Sequence, residues 1–244
     1  MKIVVEKNAE LLGLAAARNA AAILQAAIQT NGCARIVLST GASQFEFLSA
    51  FIKQDVDWSK VEMFHLDEYV GLPETHIASF RKYLKERFVS QVPLKAAYFV
   101  NGEGDVENHI AQLSQELLKA PVDLGLIGIG ENGHIAFNDP PADLEDASCY
   151  KVVHLNDRCK QQQVNEGWFA TLDDVPECAI SMTVQQILKC RHIISVVPNE
   201  RKAEAVKNTL AQSPNAMVPA TQLKTHPNWS LYIDSGAASQ IILY

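Results

Sequence analysis

Two hydrophobic rhythms alternate along the chain. Short apolar runs bounded by turn residues read as buried strands over 3–5, 35–39, 61–66, 122–129, 150–155, 192–197 and 229–233. Between them, apolar positions three and four residues apart predict helices over 8–30, 44–53, 77–87, 106–119, 156–165, 184–188 and 201–210, with Asn8 and Asp105 as caps. Strand–helix alternation of this kind predicts βαβ units and an α/β fold. The simplest arrangement is a single Rossmann-like three-layer α/β/α domain over 1–244 with a mostly parallel sheet. The polar stretch from about Pro140 to Val175 breaks the alternation and is expected to form a lid.

Composition narrows the class. The 244 residues are 48% hydrophobic and 20% charged, with a net charge of −7. No lysine or arginine run is present, so no nucleic-acid partner is expected, although a local cluster of donors can still bind a small anion. No run of about eighteen apolar residues stands out, and no membrane span is expected. The N-terminus lacks the apolar core of a signal peptide. The five cysteines (33, 149, 159, 178, 190) form no CxxC pair, and they predict free thiols in the cytoplasm. The histidines show no metal-binding spacing, so no metal is expected.

Four loops at strand ends carry candidate chemistry. Thr40, Gly41, Ala42 and Ser43 join a strand to a helix, offering free N–H groups and hydroxyls to a phosphate, or simply capping the helix. Asp67 and Glu68 end a buried strand, where an acid is either solvated in a turn or tuned to move a proton. The segment 125–141 runs from strand to glycine-rich turn to His134, with Asn132 and Asp139 at hand to fix its tautomer. Its Gly128-x-Gly130-x-x-Gly133 spacing matches the dinucleotide fingerprint, but Pro140 and Pro141 leave too little chain for a crossover helix. Lys202 begins a helix after another strand and could reach an anion.

Taken together, the loops resemble the glucosamine-6-phosphate deaminase (isomerase) family. The most specific pieces are Leu66-Asp67-Glu68-Tyr69-Val70-Gly71-Leu72-Pro73 and the run from Gly128 to Asn138. The resemblance implies conversion of glucosamine 6-phosphate and water to fructose 6-phosphate and ammonia, within amino-sugar metabolism and N-acetylglucosamine catabolism, with no cofactor. It implies that His134 assists ring opening and Asp67 moves the proton between C2 and C1. It assigns the phosphate to Thr40, Gly41, Ala42, Ser43 and Lys202.

This sequence departs from several well-known members of that family. Asn132 stands where they have aspartate, and Asp139 where they have glutamate, as the pair that orients and tunes the histidine. Their lid supplies a phosphate-binding arginine, but Gly167 stands near that place here, leaving Lys160 or Arg158 as local substitutes. The end at Tyr244 is short of an allosteric tail, so no allosteric activation is expected. Other readings on the same scaffold are a galactosamine-6-phosphate deaminase, a 6-phosphogluconolactonase-like enzyme and a non-catalytic sugar-phosphate sensor. Assembly as a homo-oligomer is left open.

Overall fold

The computed structural model describes residues 1–241. The end at Tyr244, on which the expectation of no allosteric tail rests, lies outside the described residues. In chain order the elements are β1 (Lys2–Glu6), α1 (Ala9–Asn31), β2 (Ala34–Leu38), α2 (Phe45–Phe51), β3 (Val61–His65), β4 (Asp67–Tyr69), α3 (Phe80–Leu84) and β5 (Ala96–Tyr98). They continue with α4 (Val106–Leu118), β6 (Leu124–Leu126), β7 (Tyr150–His154), α5 (Asp157–Asn165), β8 (Cys178–Met182), α6 (Val184–Ile187), β9 (His192–Val197), α7 (Ala203–Ala211) and β10 (Trp229–Asp234).

Seven strands form one sheet in the order β1-β10-β9-β6-β2-β3-β5. Every neighbouring pair in it runs parallel. Strand alternation sends successive side chains to opposite faces. Ile36, Leu38, Met63, Leu124, Ile194 and Val196 pack under α1, α2 and α3. Val37, Phe64, Ile193, Val197, Leu231 and Ile233 pack against α4, α6 and α7 on the other side. The result is the expected three-layer α/β/α arrangement.

The sequence reading missed a second sheet, β4-β8-β7, which is antiparallel. Residues 67–69 were expected to be loop but instead pair with 179–181 of β8. Two acids in a three-residue strand have poor β propensity, and cross-strand pairing overrides it. Strands β5 and β8 were likewise unpredicted, and the strand expected over 122–129 is regular only over Leu124–Leu126. The helix expected from residue 77 starts at Phe80, with Ser79 as its cap, and continues as a π-helical turn over Lys85–Val89. The helix expected from residue 201 starts at Ala203, after a 3₁₀ turn over Glu200–Lys202.

Helix α1 corrects one expectation. By length and composition it is apolar enough to cross a membrane, because alanine fills positions where polar residues were not needed. Here Leu12, Ala16, Ala17, Ala20 and Leu24 bury one face of it against α2 and the parallel sheet. Its ends are set locally: the Asn8 side chain accepts from the Leu11 N–H, and Gly32 closes the last turn with φ 76°.

Candidate active site

From β2 the chain proceeds through β3 to β5, and from β6 it proceeds through β9 to β10, in the opposite direction across the sheet. Strands β2 and β6 are neighbours, so their following loops part to opposite faces and leave a crevice between them. In open α/β sheets that is where ligands bind. A cleft of about 330 Å³ opens there, lined by the loops after β2, β3, β6 and β9. Thr40, Gly41, Ala42, Ser43, Asp67, His134 and Lys202 all border it.

Asp67 and Glu68 differ sharply in their surroundings. Glu68 is fully buried. Its carboxylate accepts from the N–H groups of Tyr69 (3.0 Å), Phe80 (3.2 Å) and Arg81 (2.9 Å), the Ser79 hydroxyl (2.9 Å) and the Arg81 guanidinium (3.3 Å). It therefore caps the start of α3, where unpaired N–H groups favour a negative charge. Asp67 is also buried, but it faces the cleft. Burial, and then the charge of Glu68, push its pKa up to about 8. A carboxyl so placed can give and take a proton near neutral pH.

His134 borders the same cleft. Gly130 has no side chain because the imidazole ring lies on its α-carbon, where a Cβ would overlap the ring. Nδ1 of His134 lies 3.2 Å from Asp139 Oδ1, but without the alignment of a hydrogen bond. Asn132 links the two residues. Its Nδ2 donates to Asp139 Oδ1 at 3.0 Å, and its Oδ1 accepts from the His134 backbone N–H at 3.1 Å. Burial alone would raise the Asp139 pKa; His134, Asn132 and the Cys159 thiol outweigh it and bring the carboxyl down to about 2. An anionic Asp139 at this position favours the tautomer with the proton on Nδ1, leaving Nε2 basic. Neither Asn132 nor Asp139 borders the cleft; both lie behind the histidine. The loop itself is tied to β8, because the Phe137 N–H donates to Ser181 Oγ at 3.0 Å and Asn138 Nδ2 donates to the Met182 carbonyl at 2.8 Å. No helix opens after Gly133, so the dinucleotide reading fails in three dimensions as it did in chain spacing.

The remaining end of the cleft suits an anion. Gly41 takes φ 109° and ψ 161°, a conformation essentially reserved for glycine, and turns the chain into the helical segment from Ala42. Gln44 is buried and donates to the Val196 carbonyl at 3.0 Å, which fastens this loop to the end of β9. Lys202 is 6% exposed. Burial first of all lowers its pKa, while Glu166 and Glu131 oppose that effect. The Ser39 hydroxyl is buried at the edge of the same loop with no partner.

The 140–175 stretch contributes α5 and the turn after it. Gln162, Gln163, Asn165, Glu166 and Trp168 from this stretch border the cleft. Gln163 accepts from the Tyr69 hydroxyl at 2.8 Å, and Glu166 accepts from Gln162 (2.8 Å) and the Trp168 indole (3.2 Å). Neither expected substitute for a lid arginine borders the cleft. Lys160 is paired with Glu177 at 2.6 Å, and Arg158 lines a separate, smaller depression. Arg201 borders the cleft instead, a residue that sequence reasoning passed over in favour of its neighbour Lys202. Phe80 and Phe137 stack 5.8 Å apart in the cleft wall. Their positions depend on α3 meeting the histidine loop, which no local pattern signals. Among the described residues no cysteine borders the cleft, and no cluster of His, Cys, Asp or Glu could hold a metal ion.

Known proteins match this architecture along its length. The sequence profile described as glucosamine-6-phosphate isomerases/6-phosphogluconolactonase matches residues 7–231. A glucosamine-6-phosphate deaminase from an Exiguobacterium species is 37% identical over 204 residues, covering 83% of this chain and 79% of that protein. One from Lactobacillus delbrueckii subsp. bulgaricus is 33% identical over 240 residues, covering 98% and 99%. Among solved structures, a monomeric glucosamine-6-phosphate deaminase of the NagB superfamily superposes with a TM-score of 0.89 at 28% identity, covering 99% of this chain and 100% of that one. The 6-phosphogluconolactonase of Trypanosoma brucei shares the fold with a TM-score of 0.80 at 15% identity, covering 99% and 98%. The chain belongs to the family of glucosamine-6-phosphate isomerases and 6-phosphogluconolactonases.

Proposed function

We propose that this protein is a glucosamine-6-phosphate deaminase, which converts glucosamine 6-phosphate and water to fructose 6-phosphate and ammonia. One observation carries the reading: a single cleft is lined by Asp67, a buried carboxyl tuned near neutrality, by His134, and by the 40–43 loop and Lys202. A lactone hydrolysis calls for no C–H proton transfer, whereas an aldose–ketose shift does. The curated relatives named as deaminases support the same choice.

In this mechanism the 40–43 loop and Lys202 hold the phosphate. His134, backed by Asp139 and Asn132, moves a proton to the ring oxygen and opens the pyranose. Ionised Asp67 then removes the proton from C2 and returns it to C1, while one proton of the C2 ammonium passes to O1, leaving an iminium at C2 and a hydroxyl at C1. Water adds to that carbon, the C–N bond breaks and ammonia departs. The 140–175 segment acts as a lid over the single domain, excluding bulk water while the iminium forms. The chemistry needs no cofactor. The free cysteines fit action in the reducing cytoplasm, in N-acetylglucosamine catabolism.

The test is direct. Purified protein given glucosamine 6-phosphate is expected to release ammonia and fructose 6-phosphate in equal amounts, with Asp67→Asn and His134→Gln inactive. Tight sugar-phosphate binding without turnover would make it a sensor. Turnover of the galactosamine epimer alone, or of a phosphosugar lactone alone, would replace the substrate.

A further inference from the structure

We propose that Arg201 is the second phosphate-binding cation of the cleft, and that it transfers from Glu131 to the phosphate when substrate arrives. The inference deepens the deaminase reading and rests on it.

A phosphate monoester carries about two negative charges near neutral pH. Opposite it the cleft sets Lys202 and, from the lid side, the Glu166 carboxylate, whose charge acts on Lys202. Glu166, and after it Glu131, offset the Lys202 charge, so Lys202 by itself leaves the two charges of a phosphate unmatched. The lid supplies none: its residues at the cleft are Gln162, Gln163, Asn165, Glu166 and Trp168, and Lys160 is held by Glu177 at 2.6 Å. Arg201 is the one guanidinium bordering the cleft among the described residues.

Its side chain is 60% exposed, and its carboxylate neighbour, Glu131, is 3.9 Å away. That distance is beyond a hydrogen bond, and an exposed pair of this kind is given up at little cost. Glu131 stands three residues before His134 on the same loop and does not itself border the cleft, so the pair joins the turn after β9 to the histidine loop. A planar fork beside the Lys202 point charge can hold two phosphate oxygens at once. The charge that a lid would otherwise bring from outside is thus supplied by the fixed turn after β9.

The experiment compares wild type, Arg201→Gln, Arg201→Lys and Glu131→Gln by steady-state kinetics on glucosamine 6-phosphate and by calorimetric binding of inorganic phosphate, with melting curves to verify folding. Arg201→Gln is expected to raise KM and weaken phosphate binding by about 10- to 100-fold, with kcat within a few-fold of wild type. Arg201→Lys should recover part of the loss. Glu131→Gln, which frees the guanidinium, should tighten phosphate binding. Phosphate binding within twofold of wild type in a folded Arg201→Gln variant overturns the proposal, as does a fall in kcat with KM unchanged. Should Arg201→Gln not fold, unchanged phosphate affinity in both Arg201→Lys and Glu131→Gln overturns it. A wild type that binds phosphate but does not turn over the amino sugar sinks the deaminase reading alone. A wild type that turns over the amino sugar but binds no phosphate overturns the Arg201 proposal alone, and one that does neither sinks both.

Discussion

Asp67 and Glu68 are adjacent in β4, yet Glu68 gathers five donors while no donor among the described residues reaches the Asp67 carboxyl beside the cleft. Strand geometry sends the two side chains to opposite faces. One carboxylate anchors α3, and the other is kept under strain by desolvation. Asp67 takes up its proton far more readily folded than unfolded, since its pKa of about 8 stands above the ordinary 3.8.

The sign of the consequence follows from linkage. A raised folded pKa means the contribution to stability is fully present below about pH 4 and is lost as pH climbs through about 8. Asp67→Asn cannot ionise and escapes that loss. Its melting temperature should exceed that of wild type by a margin that widens from pH 4 to pH 8 and then levels off, as thermal denaturation at several pH values would show. Over the same range kcat/KM of the wild type should rise toward pH 8, because the ionised form is the base.

Glu68→Gln acts on both roles. Loss of the charge beside Asp67 lets its pKa fall, so the rising limb of kcat/KM moves to lower pH. The buried Arg81 keeps Glu103 at 2.8 Å but loses its inner partner. A destabilisation of roughly 3 kcal/mol, the low end for a broken buried pair, is expected in urea unfolding. A limb that stays put would mean that desolvation alone sets Asp67.

Gly130→Ala places a methyl group where the His134 ring lies. The ring must swing away from Asp139, while the backbone is free to stay. Activity should drop on the order of 10²-fold, the scale for misplacing a reacting group by about an ångström. A melting temperature near that of wild type would separate this from unfolding.

Asn132→Asp sets a second carboxylate where Nδ2 now donates to Asp139 at 3.0 Å. Two acids that close cannot both stay ionised, and one pKa rises. The variant should gain an acid limb in its pH–rate profile well above the present Asp139 value of about 2.

Much of the site was legible because its residues end strands that announce themselves by apolar runs. Asp67, His134, Lys202 and the 40–43 loop each follow such a run and meet in one cleft. Asn132 and Asp139 were legible as neighbours of the histidine, though not as a relay that stands behind it. What escaped depends on contacts between distant segments. β8 hides in Cys178–Met182 because its partners, residues 67–69 and 150–154, look like a turn and a lone strand until they are paired. Arg201 was hidden by being one of many surface-type arginines, and only the cleft distinguishes it.

The Gln44 amide joins a carbonyl 152 residues further along the chain. The anion end is therefore assembled from the second helical segment and the ninth strand, with residues 45–195 folded in between. A nascent chain that has not yet emerged past Val196 has half of the proposed phosphate site, and a fragment cut before β9 has no means of completing it. Ligand affinity in this protein is thus a report on completed topology: a sugar phosphate added during refolding would stabilise only the finished arrangement, and so would act as a folding sensor for the whole sheet.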